Sequence, residues 1–147
     1  MASEQFVIFQ LSKEEYAIPI GQVKEIICYT GATKLPNALG YIDGIINLRD
    51  KIIPIFDLAD KFAIVSEKSS MRQALIVKIS DHDVGLLVDE VTEVVRLDDG
   101  AIETANGMIN ANACIEAIGK VDNRLLIILN LNELFSQEEF LSMKNAG

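Results

Sequence analysis

The segment Tyr41-Ile42-Asp43-Gly44-Ile45-Ile46-Asn47-Leu48-Arg49-Asp50-Lys51-Ile52-Ile53-Pro54-Ile55-Phe56-Asp57-Leu58 decides the fold of this chain. Two apolar, strand-like runs flank a polar turn that carries Arg49, a pattern typical of a β-hairpin. A single cation on a tight turn between apolar strands favours contact with another protein over chemistry on a small substrate. The segment matters further because its pattern recurs later in the chain.

An internal repeat relates the two halves of the sequence. Residues 42–45 align with residues 115–118 at an offset of 73, and the register continues without a gap to the end of the segment. Nearer the N-terminus, residues 6–9 align with residues 74–77 at an offset of 68. Alternating strands resemble one another by chance, but two long gapless registers favour duplication.

Each half contains about five short strands separated by turn formers, with little helical periodicity. This pattern predicts a mainly β fold of two small twisted barrels related by the duplication. We expect a single domain over 1–147, with subdomains at about 14–66 and 72–135, separated by the polar run 66–70. A capping box at Ser136 and Glu139 predicts a short C-terminal helix, which packs across the barrels together with the N-terminal strand.

Composition limits the function. The chain has 147 residues, is 50% hydrophobic and carries a net charge of −9. The acidic balance disfavours binding to nucleic acid and to anionic lipid, which require basic patches. No apolar run approaches a membrane span and the N-terminus lacks a signal pattern, so we expect a cytoplasmic protein without direct membrane insertion.

Few residues are candidates for chemistry. Cys28 and Cys114 lack metal-ligand spacing, and we expect buried free thiols, no metal and no cofactor. His82 is the single histidine and lies in a predicted hairpin turn, where a solvated side chain is the favoured interpretation. Asp57 and Asp89 form a conceivable acid/base pair, but each follows an apolar strand, where a carboxylate commonly caps a turn or the next helix.

Six short motifs follow one another along the chain. They are Phe6-Val7-Ile8-Phe9, Glu15-Tyr16-Ala17-Ile18, Val23-x-Glu25-Ile26, Gly44-Ile45-Ile46-Asn47-Leu48-Arg49, Ile53-Pro54-Ile55-x-Asp57-Leu58 and Val84-Gly85-Leu86-Leu87-Val88-Asp89. No single motif is decisive, but the ordered set at these spacings is highly specific and resembles the family of bacterial chemotaxis coupling proteins, CheW. The resemblance covers about residues 5–140.

The resemblance implies a scaffold without catalysis, built from two SH3-like five-stranded β-barrel subdomains. Members of this family link the cytoplasmic tips of chemoreceptors (methyl-accepting chemotaxis proteins) to the regulatory domain of the histidine kinase CheA. Receptor helices dock in a groove between the subdomains. The protein is then recruited to receptor arrays at the inner face of the membrane, without cofactors.

The resemblance also assigns residues to two binding surfaces. The positions that match family residues at the receptor side are Ile20, Val23, Glu25, Arg49 and Gly85. At Gly85 the missing side chain is expected to let a partner backbone approach closely. The kinase contacts are placed on one end of the first subdomain and on a second, ring-closing surface of the other subdomain: Ile42, Lys51, Ile53, Ile102 and Glu103.

Two departures from the family pattern affect these expectations. Asp50 replaces the glycine that usually follows the arginine, and its charge could compete for Arg49, although Asp tolerates left-handed backbone. Glu103 stands where some relatives carry a basic residue. The alternatives are an adaptor of this type for a different receptor–kinase pathway, such as surface motility, or a small β-barrel enzyme that uses Asp57 and Asp89.

Overall fold

The structure, a computed structural model, describes residues 3–36, 40–64, 72–104 and 114–134. These residues are mainly β, as predicted, and their one α-helix is the short α1 (Leu58–Lys61). The strands are β1 (Ser3–Leu11), β2 (Glu14–Pro19), β3 (Val23–Cys28), β4 (Ile42–Leu48), β5 (Lys51–Asp57), β6 (Gln73–Ile79), β7 (His82–Val88), β8 (Glu90–Asp98), β9 (Ile102–Thr104), β10 (Ile115–Val121) and β11 (Arg124–Leu129). The predicted C-terminal helix and the polar run 66–70 lie outside the described residues.

The strands form two sheets, and the five strands of the first have equivalents in the second, which carries β9 as a sixth strand at its edge. One has the strand order β3-β6-β7-β5-β4 and the other β8-β1-β2-β11-β10-β9. In the first, Ala74 pairs with Leu87, and 68 positions earlier Phe6 pairs with Pro19 in the second. Hairpins β4–β5 and β10–β11 likewise share one register at an offset of 73 and are bulged at the same point. The pairing therefore agrees with the predicted duplication and extends it to individual residue pairs.

The two halves of the chain exchange one hairpin. The β1–β2 hairpin joins the sheet of the second half, where β2 runs parallel to β11, and the β6–β7 hairpin joins the sheet of the first half, beside β5. Sheet membership therefore crosses the subdomain boundaries expected at about 14–66 and 72–135. The physical reason is that backbone hydrogen bonds do not distinguish the two copies, and a half of about 60 residues buries too little surface to be stable alone.

The largest buried cluster joins the two sheets. Phe9 and Ile18 come from one sheet and Leu75 and Leu86 from the other, and all four are completely buried. There are two smaller buried clusters, one around Ile8 and Leu126 and one around Ile53, Ile55, Ile76 and Leu87. A shared apolar interface thus makes the two sheets one cooperative unit.

Candidate functional site: two ion-paired clusters beside the β4–β5 turn

The turn between β4 and β5 consists of Arg49 and Asp50. Their φ angles are +50° and +67°, so both residues lie in the left-handed region. This backbone is that of a two-residue hairpin with a primed turn, which matches the twist of the flanking strands. Asp50 therefore adopts the left-handed backbone that this turn requires.

Arg49 forms an ion pair with Glu25 of β3. Its Nη1 and Nη2 atoms donate to the two carboxylate oxygens at 2.5 and 3.0 Å. The Arg49 side chain is 76% exposed and that of Glu25 is 24% exposed. The guanidinium is thus oriented by its acid while its outer edge faces solvent, an arrangement suited to a partner carboxylate or carbonyl.

A second ion-paired cluster lies next to the first and centres on Asp83 of β7. Lys24 Nζ and Lys51 Nζ donate to the same Asp83 Oδ2 atom, at 2.9 and 3.3 Å. Lys24 occupies a β-bulge between Val23 and Glu25, where the ladder register shifts. Hydrogen bonds from Lys24 and, less strongly, from Lys51 hold the pKa of Asp83 below its usual value against the opposing effect of burial.

Two concave surfaces border these clusters. A cavity of about 190 Å³ is lined by Glu25, Arg49, Lys51 and Asp83 together with the apolar floor of Ile53 and Ile76. A larger one of about 490 Å³ is lined by three lysines, two aspartates and the apolar start of β5: Lys24, Lys51, Lys78, Asp81, Asp83, Ile52 and Pro54. The structure therefore brings together residues predicted for the receptor side and residues predicted for the kinase side.

Ile53, which was predicted for the kinase side, is 2% exposed and forms the floor of both cavities, so it supports the surface from below. The neighbouring Ile52, which no prediction names, is 54% exposed. The apolar run gives no sign of which isoleucine faces solvent, because one face of β5 and part of the other are buried. Ile42 is half-buried and packs against the largest core cluster.

The physical role expected for Gly85 is also corrected. Gly85 is buried, and a Cβ atom built on it would lie 2.3 Å from Ile55 Cδ1. The space beside this glycine is therefore filled by the protein's own core, where a partner backbone was expected to approach. Of the other predicted receptor-side residues, Ile20 is 38% exposed, whereas Val23 packs partly against the core.

Ile102 and Glu103 lie in the other sheet, on β9 at its edge. Lys120 Nζ donates to Glu103 Oε1 at 2.6 Å, and Ile102 packs against the second core cluster. The two residues are thus separate from the β4–β5 turn. This separation is consistent with the expectation of a second surface on the other subdomain.

The proposed acid/base pair is engaged in backbone capping. Asp57 Oδ1 accepts from Asp60 N at 3.2 Å at the start of α1, and Arg72 pairs with its other oxygen at 3.0 Å. Asp89 Oδ2 accepts from Ser12 N at 2.7 Å and so caps the β1–β2 turn. The expectation that both carboxylates cap is confirmed.

Two expectations about cysteine and metal chemistry can also be compared with the structure. Both cysteines are free, as predicted, but only Cys114 is buried, whereas Cys28 is exposed at the end of β3. Across the described ranges, no group of three or more potential metal ligands converges. No helix in the described part of the chain has the length and apolar character needed to span a bilayer.

The fold and the site define a class of protein in which the two halves of the chain exchange hairpins between two β-sheets, with ion-paired side chains beside the exposed Ile52 of β5. Residues 5–139 match the model of the CheW-like domain. The chain is 34% identical to the chemotaxis protein CheW of Klebsiella aerogenes, over 98% of this chain and 89% of that protein. It is 33% identical to the chemotaxis protein CheW of Bacillus subtilis, over 92% and 88% of the two chains.

A solved structure agrees with this match. The scaffolding protein TtCheW from Thermoanaerobacter tengcongensis superimposes with a TM-score of 0.86 at 36% identity, covering 94% of this chain and 96% of that one. The chain therefore belongs to the CheW-like domain family.

Proposed function

We propose that this protein is a non-catalytic adaptor that couples chemoreceptors to the histidine kinase CheA in chemotaxis, at the cytoplasmic face of the membrane. Membership of the CheW-like family and similarity to a scaffolding protein support this role. The observation that carries the proposal to specific residues is the exposed Arg49, which is paired with Glu25 and lines the cavity of about 190 Å³.

The receptor-side surface is assigned to the exposed side chains around the β4–β5 turn. Arg49 is the central contact, Glu25 orients it, and Ile20 supplies apolar surface. Val23 and Gly85 contribute through packing, since both are at least partly buried. A receptor helix that presents a carboxylate or a free carbonyl would complement this surface.

The kinase-side surface is assigned to the start of β5. Lys51 and the exposed Ile52 form the contact, while Ile53 supports them from the core side and Ile42 supports the strand at its other end, opposite Phe56. An exposed aliphatic side chain flanked by charges is a common anchor in transient interfaces. Ile102 and Glu103 on β9 are proposed as a separate, second kinase contact.

Coupling follows from positioning. An adaptor that binds receptor and kinase together raises their effective concentration, so the pair associates without new direct contacts. A change in kinase output then requires that the receptor state alters its contacts with the complex.

The experiment that tests the proposal is reconstitution of receptor fragment, kinase and this protein. We expect kinase autophosphorylation to become dependent on receptor only when this protein is present. Arg49→Glu should abolish that dependence while leaving the binary complex with the kinase intact. A kinase that responds to receptor equally well without this protein, or with the variant, would contradict the proposal.

A further inference from the structure

The duplication provides an internal comparison for the Asp83 cluster. At the equivalent positions of the other sheet, Glu15 replaces Asp83 and Arg124 replaces Lys51, with Arg124 Nη2 2.7 Å from Glu15 Oε1. The position equivalent to Lys24 is occupied by the uncharged Thr92. A single cation, Arg124, therefore suffices to join the exchanged hairpin to its neighbouring strand in the second sheet.

Lys24 is surplus to that structural requirement. In the first sheet one carboxylate oxygen serves two ammonium groups, at 2.9 and 3.3 Å, which leaves an excess of positive charge. In the second sheet the imbalance is reversed, since Arg124 is shared by Glu15 and by Glu93, the latter at 3.3 Å. The equivalent ion-paired clusters of the two sheets therefore have opposite net charge: positive around Asp83 and negative around Arg124.

The surplus charge faces a space large enough for a partner side chain. The cavity of about 490 Å³ is lined by Lys24, Lys51, Lys78 and Ile52, and also by Asp81 and Asp83, so three lysines face two aspartates and one positive charge is left over. An ammonium group has three donors, so each lysine bound to Asp83 can still donate to another acceptor. In a chain with a net charge of −9, this is a local site for an acidic group.

We propose that Asp83 is a positioning residue that holds Lys24 and Lys51 ready to bind a carboxylate of an acidic segment on the kinase, beside the apolar anchor Ile52. The inference rests on the proposed kinase contact at the start of β5 and specifies the chemistry of the partner. Fixing the two amines before binding lowers the entropy that the lysines lose in the complex.

Asp83→Asn separates positioning from simple charge attraction. The substitution makes the chain more positive, so charge alone predicts tighter binding to an acidic segment and faster association. Positioning predicts the opposite: affinity for the purified kinase falls about fivefold, mainly through faster dissociation. Association and dissociation rates measured by surface plasmon resonance distinguish the two.

Three further variants complete the experiment. Lys24→Ala should weaken kinase binding to a similar degree. It should not lower the melting temperature, because the other sheet folds with the uncharged Thr92 at the equivalent position. Asp83→Glu keeps the charge but moves the carboxylate, and should restore only part of the affinity. Lys34→Ala removes an exposed lysine that pairs with Asp43 away from the cavity, and should change nothing in kinase binding.

The outcomes separate this inference from the proposed function. Unchanged or tighter binding by a folded Asp83→Asn variant, or unchanged binding by Lys24→Ala, would overturn the positioning role and leave the adaptor role standing. Failure of the unmodified protein to bind the kinase at all would overturn both.

Discussion

Arg49 donates to both carboxylate oxygens of Glu25, at 2.5 and 3.0 Å, from a turn in which its side chain stays 76% exposed. Such an exposed pair contributes only about 0.5 kcal/mol to stability, because water screens it and two side chains lose freedom. Its larger effect is on orientation, since a bidentate pair fixes the plane of the guanidinium. The relationship thus suits recognition more than stability.

We therefore expect Arg49→Glu to remove receptor binding with little effect on folding. The variant places two acidic side chains together, and the melting temperature should fall by no more than a few degrees. Receptor retention in a pull-down should be lost, while kinase retention persists. The swap Glu25→Arg with Arg49→Glu can restore an ion pair, but it should not restore receptor binding, since the cation then projects from β3.

The matched control is Lys34→Glu. Lys34 is 75% exposed and pairs with Asp43 at 3.2 Å, so the substitution makes the same charge change at the same exposure. Loss of receptor binding in both variants would indicate a general effect of acidity and contradict a specific role for Arg49.

Two adjacent isoleucines should respond in opposite ways to substitution. Ile53 is 2% exposed, and Ile53→Ala should lower the free energy of unfolding by about 2–5 kcal/mol because it leaves a cavity in the core. Ile52 is 54% exposed, and Ile52→Ala should change it by less than about 0.5 kcal/mol. Kinase affinity should fall for Ile52→Ala, measured by calorimetry at a temperature at which both variants are folded. If kinase affinity survives Ile52→Ala, the assigned contact is wrong.

Much of this fold could be predicted from the sequence, because the alternation of apolar and polar side chains indicates which residues of neighbouring strands pair. The sequence offsets of 68 and 73 between short apolar runs also relate the residue pairs of equivalent hairpins in the structure. The bulges after Ile42 and Ile115 are related by the same offset of 73. Capping by Asp57 was also predictable, because a carboxylate at a strand end has nearby backbone donors. Asp89 caps as well, but its donor is Ser12 N, 77 positions away, which that local argument does not identify.

The hairpin exchange and the surface were harder to predict. Nothing in the β1 and β2 residues specifies which half they join, because both halves offer the same apolar faces and the same backbone donors. The ion pair between Asp83 and Lys24 could not be predicted, because it spans 59 sequence positions and depends on the bulge in β3. Gly85 was predicted to contact a partner because a glycine looks the same in the sequence whether a partner or the protein's own Ile55 fills the space beside it.

The contact between Gly85 and Ile55 gives a prediction about packing. Gly85→Ala would place a Cβ atom 2.3 Å from Ile55 Cδ1 in a fully buried environment, and should destabilise the protein by about 1–2 kcal/mol. Ile55→Val removes the Cδ1 atom itself, so the double variant should be more stable than additivity of the single changes predicts. Urea unfolding of all four proteins measures this coupling.

Gly21→Ala is the control for the glycine substitution, because no atom lies within 4 Å of the added methyl group. It should leave the urea midpoint nearly unchanged. If Gly85 acts through packing, the Gly85→Ala variant should still bind the receptor at a low temperature at which it is folded. If Gly85 instead contacts a partner directly, the variant should lose receptor binding without a loss of folding stability.

The Glu15–Arg124 pair predicts part of the acid sensitivity of the fold. The hydrogen bond from Arg124 lowers the pKa of Glu15 from its ordinary value of 4.5, against a smaller opposing effect of burial. Because the folded pKa lies below the unfolded one, the contribution of the pair is complete above pH 4.5 and is lost as the pH falls through the lower folded pKa. Glu15→Gln should therefore cost about 0.5–1 kcal/mol at neutral pH, reduced from a buried pair because both groups are partly exposed.

The measurement is urea unfolding of the unmodified protein and of Glu15→Gln from neutral to acidic pH. The difference between the two free energies should stay constant down to about pH 4.5 and shrink below it, since protonated Glu15 no longer pairs with Arg124. Glu14→Gln, one position earlier on β2 and exposed, should follow the unmodified protein throughout. If the difference between the two proteins instead grows on acidification, the ionised form of Glu15 is destabilised in the folded state. That result would contradict the geometry of the pair.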